Sequence, residues 1–157
     1  MSLEIALRDV VEGDFPVLLE HQRDAISSQR AAFGTKDVDA DAFAARWRKN
    51  LADGTTTAKV IVEGNTLVGF VATFLREGKP QVTYWIDRAH WGRGIATAAL
   101  SELLRLVPIR PMYASAAADN AGSVRVLQKC GFVICGTERA FATARGEEID
   151  EVFLELR

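Results

Sequence analysis

The segment from Tyr84 to Leu100 constrains the fold most: the β-forming run Tyr84-Trp85-Ile86 breaks into a turn carrying Gly92 and Gly94, and an apolar helix opens at once from Ile95. A strand that ends in a two-glycine turn and restarts as a helix must pack strand against helix across that turn, which points to a layered α/β arrangement. Glycine at 92 and 94 removes side chains where backbone N–H groups must approach an anion, and the first turn of a helix leaves about four N–H groups without intrahelical partners. The segment therefore suits phosphate binding, with Arg93 adding a fixed positive charge between the glycines. It also suits a βα turn that needs only flexible residues, since a short glycine pattern is a weak signal.

Three phosphate-binding motifs compete for these residues. A P-loop needs lysine followed by serine or threonine after its last glycine, whereas Gly94 is followed by Ile95 and Ala96, so this motif is excluded. A dinucleotide fingerprint needs glycine or alanine where Thr97 stands, and a Rossmann domain alternates strand and helix from its start; Asp119 alone imitates the ribose-binding acid. The third motif, Gln/Arg-x-x-Gly-x-Gly/Ala, is the pyrophosphate loop of the Gcn5-related N-acetyltransferases. Trp91-Gly92-Arg93-Gly94-Ile95-Ala96 resembles it from Gly94 onward. A second block, Asn120-Ala121-Gly122-Ser123-Val124-Arg125-Val126-Leu127-Gln128-Lys129-Cys130-Gly131-Phe132, resembles the helix and Gly-Phe exit of the same superfamily and stands in the right order. Together with Tyr84-Trp85-Ile86, the two blocks resemble the branch that contains the ribosomal-protein N-terminal alanine and serine acetyltransferases. The resemblance spans roughly residues 82 to 140 and says little about residues 1 to 55, where acceptor specificity is usually built.

At 157 residues, 48% hydrophobic and 25% charged, the chain suits one domain over residues 1–157, and the resemblance implies that it is α/β. The formal net charge of −2 gives no basic field for nucleic acid, and Arg46, Arg48 and Lys49 around Trp47 read as a solvated helix face. Cys130 and Cys135 have no neighbouring histidine pattern, which predicts neither a disulfide framework nor a metal site. No apolar run is long enough for a membrane span and no secretion signal is visible, so the cytoplasm is the expected compartment.

Along the chain, Glu4 to Val11 predicts a strand. Asp14 is the expected cap of a helix through Phe15, Leu18, Leu19 and Ile26, and a loop is expected over Ser27 to Asp37. Phe43, Trp47 and Leu51 place a second helix over Asp39 to Leu51. Strands follow over Thr57–Glu63, Thr66–Arg76 and Gln81–Asp87, with a turn at Glu77-Gly78-Lys79-Pro80. Ile95, Ala99, Leu103 and Val107 share one helical stripe that Pro108 and Pro111 stop. A strand over Arg110–Ala117, a helix capped by Asp119 or Asn120, and a hairpin of Phe132–Thr143 with Glu148–Leu156 complete the order. The resemblance implies a mixed, mostly antiparallel twisted sheet with a V-shaped splay between two central strands and flanking helices.

The resemblance further implies acetyl-coenzyme A as cosubstrate, with no metal. Gly92, Arg93, Gly94, Ile95, Ala96 and Thr97 are expected at the pyrophosphate, Trp85 and Ile86 along the pantetheine arm, and Asn120 as a further pantetheine contact. A strand N–H supports the thioester carbonyl. Ser123 is the candidate partner of the departing thiolate, because the tyrosine many relatives use is replaced by Leu127; glutamate, frequent in this branch at position 98, is replaced by Ala98. Asn120 also reads as a helix cap and Ser123 as a small residue in a tight contact. Tyr84 and Trp85 suit the pantetheine and acceptor sides or the core, and Trp91 suits packing. His90 is expected on the loop surface. For the general base, His21, Glu20, Glu77 and Tyr113 stay open, as does water. Asp37, Asp39 and Asp41 suit a cationic acceptor or a capping cluster. The expected function is transfer of acetyl to a primary amine, whether peptide N-terminus, amino acid, polyamine or aminoglycoside. The alternative is a catalytically inactive acyl-coenzyme A-binding module, and exposed strand edges would support a homodimer.

Overall fold

A computed structural model describes residues 4–32 and 39–157. Seven strands form one open sheet in the order β1-β2-β3-β4-β5-β7-β6: β1 (Ile5–Asp9), β2 (Thr57–Glu63), β3 (Thr66–Arg76), β4 (Lys79–Ile86), β5 (Met112–Ala117), β6 (Val133–Ala142) and β7 (Glu147–Leu156). Among the described residues, five α-helices flank it: α1 (Phe15–Arg23), α2 (Ala25–Ala31), α3 (Ala40–Ala52), α4 (Ile95–Leu106) and α5 (Ala121–Lys129). Successive strand residues point to opposite faces, so neighbouring β2 residues sort into two cores. Ile61 joins Val82, Ile86, Ala99, Leu100, Leu103 and Leu127 under α4 and α5. Val60 joins Phe15, Leu18, Leu19, Phe43, Trp47 and Phe70 under α1 and α3.

The V-shaped splay lies between β4 and β5. Every other neighbouring pair is antiparallel and runs over several residues, but β4 and β5 are parallel and meet only at Gln81 and Tyr113. From that point both strands run on toward Ile86 and Ala117 without pairing. Parity along β4 then decides what faces the gap. The Asp87 N–H donates to Val68 O at 2.8 Å. In an antiparallel ladder of unbroken register, residues 85, 83 and 81 therefore also turn their backbone groups to β3, while Tyr84 and Ile86 turn theirs toward the space β5 has left. The β3 side is unusually close here. A Cβ on Gly69 would stand 2.1 Å from Trp85 O, so only glycine permits the approach.

Several local expectations change. Asp14 does not cap α1: its buried carboxylate instead accepts the Val11 N–H at 2.9 Å and two hydrogen bonds from the Arg8 guanidinium at 2.8 Å each. The first helix does not run on through Ile26. It stops at Arg23, and Asp24 caps a separate α2 by accepting the Ser27 N–H at 3.0 Å, so residues 27–31 are helix rather than loop. Lys79 and Pro80 belong to β4, leaving the tighter Glu77-Gly78 turn. Asp39 caps α3 through the Ala42 N–H at 2.7 Å. Asp37 lies outside the described residues.

Candidate active site

The turn after β4 presents an unfilled helix start. Gly92 and Gly94 adopt φ of +75° and +80°, conformations that glycine takes without strain, and open space lies where either Cβ would stand. Gly94 is the N-cap of α4 and offers no side chain, and the first turn of α4 carries no acidic residue. Among the described residues, the N–H groups of Ile95, Ala96 and Thr97 thus have no capping side chain, whereas α2, α3 and α5 each have one in Asp24, Asp39 and Asn120. Their partial positive charge and the α4 dipole point into an opening fit for an anion. Arg93 contributes differently from expectation. Its guanidinium makes two 2.7 Å hydrogen bonds to the Glu63 carboxylate at the end of β2, so its charge is neutralised and its effect is to anchor the loop to the sheet.

Trp91 packs outside the core. It sits at the surface, where its indole N–H donates to Ile86 O at 2.9 Å and its ring carries the Arg30 guanidinium 5.3 Å from the centroid. That hydrogen bond satisfies the Ile86 carbonyl, one of the groups released when β5 departs, and fixes the end of β4. Of the two strand residues expected to meet a pantetheine arm, Ile86 faces the gap with its backbone, but Trp85 turns its backbone into the β3 ladder. Tyr84 takes its place by parity. The Trp85 side chain lies on the α1 face, where its indole N–H donates to His21 O at 3.2 Å.

On the α4 face, the Tyr84 hydroxyl reaches across to the first turn of α5 and lies 2.7 Å from Ser123 Oγ. Burial pushes the Tyr84 phenol up to about 12, against a smaller opposing effect from the Ser123 hydrogen bond, so it stays protonated at neutral pH. Asn120 caps α5 by accepting the Ser123 N–H at 3.3 Å, and its amide donates to Arg30 O at 3.4 Å. Ser123, Asn120, Tyr84 and Ile86 are thereby gathered around the splay. Thr97 points elsewhere with its carbonyl, which accepts from Cys130 Sγ at 3.7 Å.

The opposite face carries a cavity of about 560 Å³ at the end of β4, lined by Glu20, His21, Arg23, Asp24, Asp87, Arg88 and Ala89. Arg88 donates to Asp24 at 2.8 Å, joining the β4 end to the α1–α2 junction. His90 is partly buried, with Nδ1 3.0 Å from Asp87 Oδ2. Arg145, in the β6–β7 turn, donates to Gln29 O at 2.8 Å and to the Asp119 carboxylate, which holds that carboxyl below its usual range. The Arg88–Asp24 and Arg145–Asp119 pairs join residues far apart in sequence, so no local pattern discloses them. The one local hint was the N-cap signal of Asp24 followed by Ser27.

Among the described residues, no group of histidine, cysteine and carboxylate side chains could hold a metal ion, and no helix is long and apolar enough to cross a membrane. The model of the acetyltransferase (GNAT) domain matches residues 4–133, and the chain belongs to that family. Comparison with curated proteins finds no match. The fold is similar to that of a ribosomal-protein-alanine N-acetyltransferase from Brucella melitensis, with TM-score 0.82 and 24% identity over 96% of this chain and 98% of that one. It is also similar to a spermidine N-acetyltransferase from Vibrio cholerae solved with coenzyme A and spermine, with TM-score 0.80 and 19% identity over 96% and 95%. The microcin C7 self-immunity acetyltransferase, solved with acetyl-coenzyme A and AMP, superposes with TM-score 0.81 and 17% identity over 97% and 91%.

Proposed function

We propose that the chain transfers acetyl from acetyl-coenzyme A to a primary amine. The observation that carries this reading is the unpaired stretch of β4, where the Ile86 N–H faces the gap that β5 leaves, followed in the chain by the uncapped start of α4. The residues present fit the cosubstrate. Backbone N–H groups of residues 92–97 would hold the pyrophosphate, the backbone of Tyr84 and Ile86 the pantetheine amides, and Asn120 a further polar contact. Bound there, the cosubstrate supplies an activated acetyl thioester.

The chain's own groups then cover the remaining needs of acyl transfer. The Ile86 N–H aids the thioester carbonyl as it gains negative charge, a type of contact worth about 3 kcal/mol elsewhere. The Ser123 hydroxyl gives its proton to the departing sulfur, and Tyr84 supplies Ser123 in turn through their 2.7 Å hydrogen bond. The nucleophile enters from the α1 face, opposite the α4 start. Relatives sharing the fold carry names for both a protein N-terminus and a polyamine, so the fold leaves the acceptor class to α1, α2 and their surroundings. An acyl-coenzyme A-binding module without turnover would need the same loop but no hydroxyl pair at the gap.

Thiol release from acetyl-coenzyme A with a panel of amines, including peptides with N-terminal alanine or serine, tests the reading. Gly94→Asp puts a carboxylate at the anion site and a side chain at φ of +80°, and is expected to abolish cosubstrate binding by calorimetry. Ser123→Ala is expected to retain binding and lower kcat. Binding by wild type without thiol release for any amine would instead support the module.

A further inference from the structure

The choice of general base narrows on position. Tyr113 pairs with Gln81 at the closed end of the splay, and Ile86 lies five positions farther along β4, about 16 Å at ~3.3 Å per residue. Glu77 lies beyond even Gln81, in the β3–β4 turn. Glu20 and His21 both line the cavity at the open end, and only His21 is also tied to β4, through the Trp85 N–H on its carbonyl. Glu20 is exposed, while His21 is partly buried.

The imidazole itself is arranged asymmetrically. Nδ1 is buried and, among the described residues, finds no hydrogen-bond partner, so Nε2 is the ring nitrogen left to serve the cavity that the residue lines. We propose that His21 is the general base of the transfer, its Nε2 receiving the proton shed by the acceptor amine; the inference rests on the acetyl-transfer reading above. In the balanced step, the amine lone pair forms the C–N bond and the nitrogen loses one proton to His21. The C–S bonding pair leaves on sulfur, which takes one proton from Ser123, giving an amide and a free thiol.

The surroundings keep the base available. Glu20 and Arg23 face it from α1, Asp24 from the α1–α2 junction, and Asp87, Arg88 and His90 from the turn after β4. Burial lowers the His21 pKa from 6.5, and the Asp87 and Glu20 carboxylates oppose that shift without reversing it. At neutral pH the ring is therefore unprotonated. Asp87 and Glu20 also favour the imidazolium as it forms.

The test compares kcat/KM against pH for wild type and His21→Gln, alongside acetyl-coenzyme A affinity by calorimetry. Wild type is expected to show an acid limb below pH 6.5. His21→Gln should lose that limb and fall about 10²-fold at neutral pH, the usual scale of general-base catalysis, with cosubstrate affinity within about twofold. His21→Ala should recover activity with added imidazole. A retained limb and rate in His21→Gln would overturn the base while leaving the transferase reading intact. Loss of cosubstrate binding in both variants, without imidazole rescue, would assign His21 to folding and also overturn it. Absence of thiol release by wild type with every amine would remove the transferase reading first.

Discussion

Replacing Gly69 by alanine probes the geometry that opens the site. The added Cβ would lie 2.1 Å from Trp85 O and 3.1 Å from both Trp85 C and Ile86 Cα. Relief requires β3 and β4 to part by about 1 Å, because every opposing atom belongs to backbone and none can rotate away. Overpacking of this kind costs about 1–3 kcal/mol. Weakening neighbouring ladder bonds, including Asp87 N–H to Val68 O, adds about 1 kcal/mol. The reduced freedom of the unfolded chain returns about 0.4–1 kcal/mol, leaving a net loss of about 1–3.6 kcal/mol, centred near 2 kcal/mol. Urea unfolding followed by tryptophan fluorescence should report a midpoint lowered by about 1 M for a denaturant dependence near 2–3 kcal/mol/M. Gly54→Ala is the control, since nothing lies within 4 Å of its Cβ and its φ is not in the left-handed region. The displaced Ile86 N–H should also lower thiol release more than stability alone explains. A Gly69→Ala protein within about 0.5 kcal/mol of wild type, a typical surface effect, would refute the close approach of the strands.

Two further outcomes follow from titratable groups. The folded chain holds the Tyr84 proton more tightly than the unfolded one, so its contribution to stability is complete below pH 10.0 and is lost as pH rises toward about 12. Tyr84→Phe should remove that alkaline loss in unfolding curves and lower kcat while keeping cosubstrate affinity; equal alkaline slopes in the two proteins would count against it. The Arg8 guanidinium holds the Asp14 carboxyl below its ordinary 3.8, so this contribution is present above that value and disappears as pH falls through the lowered one. Asp14→Ala should cost about 1–3 kcal/mol at pH 7 by urea unfolding, with the difference shrinking in acid.

What the sequence disclosed divides by the range of the interactions involved. The α4 helix was legible because Ile95, Ala99 and Leu103 repeat on one stripe and are all buried against the sheet. β2 and β3 matched their expected bounds, since β-forming runs separated by Gly64-Asn65 leave little freedom. The break between α1 and α2 was missed because Ile26 looked like the next member of the Phe15–Leu19 stripe; it is exposed, and Asp24 begins a new helix instead. At the site, the glycine turn and the Asn120–Ser123 pair were visible as motifs. Strand parity, the Arg93–Glu63 pair and the Tyr84–Ser123 contact depend on register and on residues 30 or more positions apart, which no local pattern carries.

Helix α2 spans the open end of the splay as a tie-beam spans two rafters. Its start is fixed on the β4 side through Asp24 and Arg88. Its far end is fixed beyond β5, where the Arg30 carbonyl accepts from Asn120 and Arg145 and the Ala32 carbonyl accepts the Ala144 N–H. The width of the gap and the pose of the helix are consequently a single mechanical variable. A substitution that reshapes α2 is therefore expected to shift the strands on both sides of the gap, so that, on the acetyl-transfer reading, acceptor selectivity and acyl-donor affinity change together.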